Sequence, residues 1–284
     1  MNPQVKIAFW GTPQLTTHYL DALVQAGLKP ALIITNPDRP KGRGQEIALT
    51  PAKVWGIKNN VRVLQPERLD DAFFQEFLEY KINVSIVVAY GSILPERFID
   101  VPQFGTLNVH YSLLPRYRGA SPVEASILAG DKETGVAIQK MVRLLDSGPL
   151  IAEKNVSLDE HLTAPELREH LSVIGAQLLM ETLPKYLTGL LVPTPQTESQ
   201  ATFCTKIQKE DGFLDLTGNP VYLYRKYRAY YEWPRTFFFY EQNNKKVRLI
   251  ITRANFVDGV FVIERVLPEG KKEMSFEDFK RGFK

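Results

Sequence analysis

Residues 84–90 read VSIVVAY, apolar at both alternating sets of positions apart from one serine. Successive side chains of a strand point to opposite faces, so such a run is buried only in a sheet covered on both sides. The rest of the first half supplies the covers. Strand-like runs at 5–10 (VKIAFW), 30–35 (PALIIT), 62–65 (RVLQ), 106–112 (TLNVHYS) and 135–142 (GVAIQKMV) alternate with helical patterns. Those patterns fall at 17–27, where Gly27 provides a stop, at 51–60 and at 69–81. The alternation predicts an α/β fold, an open, mostly parallel, Rossmann-like sheet with helices on both faces. Ligands of such sheets bind beyond the carboxyl ends of the strands, where Tyr90, Gly91, His110 and Ser112 fall.

A long helix is expected over 163–186, with Leu167, Leu171, Ile174, Leu178 and Leu179 at helical spacing. The stretch 190–204, with its prolines, threonines and serine, reads as a linker. It divides the chain into a first domain over 1–189 and a smaller one over 205–284. In the smaller one a helical pattern (PVYLYRKYRAYYEW) precedes the β-rich runs RTFFFY, KVRLIITRANF and GVFVIERVL. Charge is divided the same way. The net charge is +3, yet 205–284 holds 16 Lys+Arg against 11 Asp+Glu, and 1–204 holds 19 against 21. A basic second domain suits a polyanion partner, and a solvated surface explains the same excess.

Several chemistries are excluded by what is missing. The first strand–helix turn, FWGTPQ, has Gly11 but no G-x-G-x-x-G, so a dinucleotide cannot approach the backbone as it does in dehydrogenases. There is no G-x-x-x-x-G-K-[ST], and Ser112 lacks a G-x-S-x-G elbow. His18, His110, His161 and His170 show no zinc-ligand spacing, and the single Cys204 can form no intrachain disulfide. No window offers the roughly 20 apolar residues of a membrane span, and the N-terminal run is too short for a signal-peptide core. An unexported protein whose site holds no metal is the expectation.

The polar residues worth weighing lie in NVHYSLLPRYRG, residues 108–119. Asn108, His110 and Ser112 alternate, so a strand would set them on one face, where burial without partners is costly. Downstream, Asp146 follows a predicted strand and precedes Ser-Gly-Pro. Alone it reads first as a turn residue capping its own loop. Beside His110 it would stabilise a protonated ring, and Asn108 could give amide hydrogens to an oxyanion. Such a trio suits attack by an amine on a carbonyl.

NVHYSLLPRYRGASPV with LDSGPLIAE downstream resembles the signature of the folate-dependent formyltransferases: Asn-x-His, Ser-Leu-Leu-Pro, then a distant Asp. IAFWGTP, TNPDRPKGRG, VVAYGSILPE, KIQKEDGFLDL, YEWPRTFF and VLPEGKKEMSFEDFKRG extend the likeness over nearly the whole chain, toward the methionyl-tRNA formyltransferases among them. The resemblance implies a catalytic trio of Asn108, His110 and Asp146. It implies 10-formyltetrahydrofolate as donor and initiator methionyl-tRNA as acceptor, in a cytoplasmic monomer. It places the pterin against Val88, Tyr90 and Gly91 and beside Ser112, Leu113, Leu114 and Pro115. Gly11, Thr12, Pro13 and Leu15 would meet the methionyl end. Arg39, Lys41, Gly42, Arg43 and Gly44 would form a loop entering the tRNA, cations on phosphates and glycines allowing close approach. In isolation the same loop reads as a mobile surface segment.

Two departures from the family pattern stand out. Leu15 replaces the usual aromatic of the first turn. The C-terminal domain, expected as a five-stranded OB-like barrel, is about one hairpin short. An amino-sugar N-formyltransferase, a hydrolase of the formyl donor, and an RNA-binding protein on an inactive scaffold remain alternatives at this stage. The last would require loss of the trio, which is present.

Overall fold

The computed structural model describes residues 5–41, 46–242 and 245–282. Among them, seven strands form the large sheet: β1 (Ile7–Gly11), β2 (Leu32–Ile34), β3 (Arg62–Leu64), β4 (Val84–Val88), β5 (Thr106–His110), β6 (Glu133–Lys140) and β7 (Leu150–Ser157). Their order is β3-β2-β1-β4-β5-β6-β7. From β3 to β5 every pairing is parallel, and β6 runs antiparallel to β5. The expected mostly parallel sheet is therefore present. β7 was not expected, because its LIAEKNVS sequence mixes charge into a strand at the sheet edge, where Glu153 and Lys154 are exposed. Charges on an edge strand block pairing with another chain.

Helices α1 (Thr16–Gln25), α2 (Pro51–Lys58), α3 (Asp71–Glu79) and α4 (Glu96–Asp100) punctuate the parallel strands. Local chemistry sets their starts. Thr50 caps α2 by accepting from the Lys53 N–H, with Pro51 at the first helical position. Asp70 caps α3 by accepting from the Phe73 N–H. At the end of β1, Gly11 is required by packing: a Cβ there would lie 2.8 Å from the Val88 carbonyl and from Phe9 and Thr16.

The run at 84–90 behaves as its composition demands, with all five residues of β4 buried. One side of the sheet carries an aromatic cluster in which Phe98 is fully buried. Its ring centroid lies 5.8 Å from Trp10, 5.7 Å from Phe73, 5.1 Å from Phe74 and 5.6 Å from Phe77. The Trp10 indole N–H donates to the Ser85 hydroxyl at 3.2 Å, so the serine within β4 is a satisfied polar group.

The chain divides into two compact units that interleave along the sequence. One comprises Met1–Arg118, Gly135–Val156 and Arg168–Phe203; the other comprises Gly119–Thr134, Ser157–Leu167 and Cys204–Lys284. The long helix α6 (Ala164–Leu187) matches the expected 163–186 span. In the second unit, α5 (Pro122–Ala129) packs on α7 (Pro220–Ala229), and Arg225 donates to the Ala129 carbonyl at 3.2 Å. A cation on a helix C-terminal carbonyl is favourable for both charge and hydrogen bonding.

Helix α7 also packs on an antiparallel sheet of β8 (Phe237–Gln242), β9 (Lys245–Val257), β10 (Val260–Pro268) and β11 (Met274–Ser275), before α8 (Phe276–Gly282). Leu223, Tyr227, Phe238, Leu249, Ile251, Val266 and Phe279 form its core. Among the described residues this is a four-stranded sheet, one strand fewer than the five-stranded barrel. β9 turns into β10 through Asp258 and Gly259, both left-handed, at φ 49° and 80°. That two-residue turn leaves no room for another hairpin.

Removing the Phe98 ring should leave a cavity among four other rings. Phe98→Ala is expected to cost about 3–5 kcal/mol and to lower Tm by roughly 10 °C, read by thermal melting of the purified protein.

Candidate active site

The strand order reverses between β2 and β4 on either side of β1, which opens a crevice beyond their carboxyl ends. The loops there are tied by polar contacts. The Thr12 hydroxyl donates to the Tyr90 carbonyl at 3.2 Å, and the Asn36 amide donates to the same oxygen at 2.8 Å. The Asn36 backbone N–H reaches the Thr12 hydroxyl at 3.3 Å. Val88 and the Tyr90 ring are buried in the core, so at this edge they offer main chain rather than side chain. Gly91, with φ 84°, is exposed, and so is Ile93. Thr12, Pro13 and Leu15 are half-buried at the start of α1, while Gly11 closes β1.

Two strands away, β5 delivers Asn108 and His110 on one face, as alternation predicted. Asp146 comes from the loop that follows β6. Its backbone is left-handed, φ 49°, a conformation aspartate tolerates better than most residues. The turn brings its carboxylate back over the strand end. The Asn108 amide donates to Asp146 Oδ1 at 3.4 Å, and His110 Nδ1 lies 3.7 Å from Oδ2. The side chains of His110 and Asp146 are 6% and 9% exposed, so the two groups face each other largely away from water. The other imidazole nitrogen, Nε2, is 2.9 Å from the Tyr117 carbonyl. A carbonyl only accepts, so Nε2 carries hydrogen, and a second ring proton on Nδ1 would face the carboxylate.

Ser112 lies beyond β5, buried, with its hydroxyl on the Arg116 carbonyl at 2.5 Å. It closes the turn that contains Leu113, the buried Leu114 and Pro115, joined by a cis Leu114–Pro115 bond. On the loop of Asp146, Leu144 and Leu145 are 73% and 65% exposed, and Ile93 is 88% exposed. Apolar side chains this open contribute nothing to the core.

The basic stretch begins as a two-stranded ladder of Arg39–Lys41 with Glu46–Ala48. Arg39 donates to Glu67 at 2.9 Å, an exposed pair that an anionic ligand could displace at little cost. Gly42, Arg43 and Gly44 lie outside the described residues. Asp38, just before the ladder and half-buried, sits in a polar knot: Lys53 pairs with it, Gln65 donates at 2.9 Å, and the Thr50 N–H donates at 3.1 Å.

Two residues around Asp146 were not singled out from sequence. Gln139 sits opposite Asn108 in the β5–β6 register, donates to Asp146 Oδ1 at 2.9 Å, and accepts from the Gly148 N–H at 3.1 Å. A lone glutamine inside the apolar run GVAIQKMV was the signal that could have found it. Gly148 itself admits no side chain, since a Cβ would meet the Lys140 carbonyl at 1.8 Å. The second residue, Gln196, lies in the stretch read as a linker and donates to the main chain of the same loop.

Sequence-family comparison finds a formyl transferase domain over residues 5–183 and a formyl transferase C-terminal domain over 206–257. A methionyl-tRNA formyltransferase of Enterococcus faecalis is 34% identical over 98% of this chain and 96% of its own length. Among solved structures, a methionyl-tRNA formyltransferase from Clostridium thermocellum superposes with a TM-score of 0.64 at 17% identity, covering 95% of this chain and 99% of that one. An N-formyltransferase of Helicobacter canadensis, solved with folinic acid and dTDP-3-aminofucose, gives 0.66 at 16% identity over 89% and 88%. At such identities the structural likenesses establish the fold.

Burial pushes the Asp38 carboxyl up, but hydrogen bonds from Lys53, Gln65 and Thr50 outweigh it and leave its pKa lowered. Because the folded value lies below the unfolded one, Asp38 stabilises the fold above the ordinary value of 3.8 and stops doing so as pH falls through the folded value. Asp38→Asn should therefore cost roughly 1–3 kcal/mol at neutral pH. Urea melts should show the gap from the parent narrowing progressively below pH 3.8.

Proposed function

The chain belongs to the formyl transferase family, and on that premise we propose that it transfers the formyl group of 10-formyltetrahydrofolate to the α-amine of methionine on initiator methionyl-tRNA. The observation that carries this reading is the meeting of Asn108, His110 and Asp146 at one buried strand end. As the amine nitrogen attacks the formyl carbon, negative charge develops on the formyl oxygen. Asn108 spends one amide hydrogen on Asp146 and has a second to give that oxygen, and His110 joins it once its Nε2 hydrogen leaves the Tyr117 carbonyl for the substrate. Asp146 holds the imidazole and accepts the amine proton, directly or through a water. When the carbon–nitrogen bond to the donor breaks, a proton goes to the departing donor nitrogen.

For the donor, we assign Val88, Tyr90, Gly91 and the turn Ser112, Leu113, Leu114 and Pro115. The side chains of Val88, Tyr90, Ser112 and Leu114 are buried, so there recognition falls to main-chain groups, with Ile93, Leu144 and Leu145 as the apolar cover a flat heterocycle needs. Gly11, Thr12, Pro13 and Leu15 receive the methionyl end. Arg39, Lys41, Gly42, Arg43 and Gly44 bear on the tRNA backbone, where arginine and lysine answer phosphate charge.

We take 1–189 as the catalytic domain, 190–204 as its connection and 205–284 as the tRNA-contacting domain, a division supported by the family matches at 5–183 and 206–257. Among the described residues no helix is long and apolar enough to cross a membrane. A cytoplasmic monomer is the setting that fits a charged-tRNA acceptor. The trio contains no metal ligand set: among the described residues no group of three or more His, Cys, Asp or Glu could hold an ion.

Truncating either oxyanion donor should be costly. Asn108→Ala and His110→Ala are expected to lower kcat for formylation of charged initiator tRNA by about 10²–10³-fold, while binding of a folate analogue persists by titration. Near-normal turnover in either variant would remove the trio from the mechanism.

A further inference from the structure

We infer that Gln196 is a positioning residue for Asp146, so that the segment leaving the catalytic domain completes the active site. The inference rests on the formyl-transfer reading above and extends the site to a residue outside both family-matched regions, which end at 183 and resume at 206.

The segment carrying Gln196 is bonded along its length. Thr194 exchanges two backbone hydrogen bonds with Leu150, both at 2.8 Å. Further on, the Thr202 hydroxyl accepts from the Tyr117 N–H at 2.9 Å, and the Thr202 carbonyl accepts from the Arg118 N–H at 2.9 Å. Between these anchors Gln196 is buried at 8% exposure. Its Nε2 donates to the Asp146 carbonyl at 2.8 Å and to the Gly148 carbonyl at 2.7 Å. Its Oε1 accepts from Arg118 Nε at 2.9 Å and Nη2 at 2.7 Å. Both hydrogens and both lone pairs of the amide are used, and carbonyls on one side with a guanidinium on the other leave a single orientation. Arg118, 3% exposed, is fixed in turn by a two-point contact with Glu198 at 2.7 and 2.9 Å.

This arrangement addresses a particular need. Asp146 stands in a left-handed conformation on a loop whose Leu144 and Leu145 are exposed, so those two side chains do not anchor the loop to the core. Gln139 orients the carboxylate, and Gln196 fixes the carbonyls of Asp146 and Gly148, the residues flanking Ser147, in the turn from which that carboxylate is aimed. The gap between His110 and Asp146 is already 3.7 Å, so a small displacement of the loop removes the carboxylate from the imidazole. A glutamate at 196 would set acceptors against two carbonyls, and a shorter amide would reach one carbonyl at most.

The test uses Gln196→Met, which keeps the side-chain length and loses every hydrogen bond, in the full-length protein. It is assayed with charged initiator tRNA and 10-formyltetrahydrofolate beside the parent. The expected result is at least a tenfold fall in kcat, with KM for both substrates within about threefold. In an Asp146→Asn background the same change should cost less than twofold, because the glutamine acts through the aspartate. Amide hydrogen exchange of residues 144–148 should rise in Gln196→Met, a readout that needs no turnover. Unchanged kcat, an equal loss in both backgrounds, or unchanged exchange in the loop would overturn the inference. A parent inactive on charged tRNA would instead overturn the proposed acceptor, leaving the exchange measurement to decide the role of Gln196. If Gln196→Met does not fold, Gln196→Asn is read by the same criteria.

Discussion

Strands buried on both faces have almost nowhere to place a polar side chain except at their ends, and the rest of this structure follows from that constraint. β4 is apolar throughout apart from Ser85, which is satisfied by Trp10. Polar groups gather instead beyond the carboxyl ends of β1, β4 and β5. There Thr12 and Asn36 tie the loops together, and Asn108 and His110 emerge beside Asp146. The sheet thus fixes two members of the trio by strand geometry. The third sits on a loop and has to be held by other means.

Holding it requires a network rather than a pair. Asp146 Oδ1 receives amides from Gln139 and Asn108, and its main-chain carbonyl receives Gln196. Each contact is modest by itself in water, but in a buried site unsatisfied groups are expensive and a complete network is rigid. Preorganisation of this kind is what an oxyanion mechanism needs, since donors that must reorient during reaction lose most of their value. The interdependence also explains why a region that reads as a spacer is strapped at Leu150, Tyr117 and Arg118.

Much of this was legible from local patterns. The parallel sheet followed from apolar runs alternating with helices, and the shared face of Asn108 and His110 followed from strand periodicity. Residues 163–186 gave the long helix because leucines recur at helical spacing. What escaped is non-local. β7 was hidden by the charges that protect a sheet edge. Gln139 announced itself only as a polar residue in an apolar strand, while Gln196 meets its partners 48 to 78 positions away, beyond any periodicity. The interleaving of the two compact units has the same origin, since α5 packs on the distant α7 rather than on its sequence neighbours.

The proposed trio bears on the chemistry, whereas the acceptor depends on what can be brought to it. The most direct measurement is therefore a formyl-transfer assay in which charged initiator tRNA, an amino-sugar nucleotide and water compete for one labelled donor. The account predicts that label accumulates on the methionyl-tRNA, with the sugar nucleotide and free formate receiving little. Label on the sugar nucleotide with the tRNA untouched would contradict it.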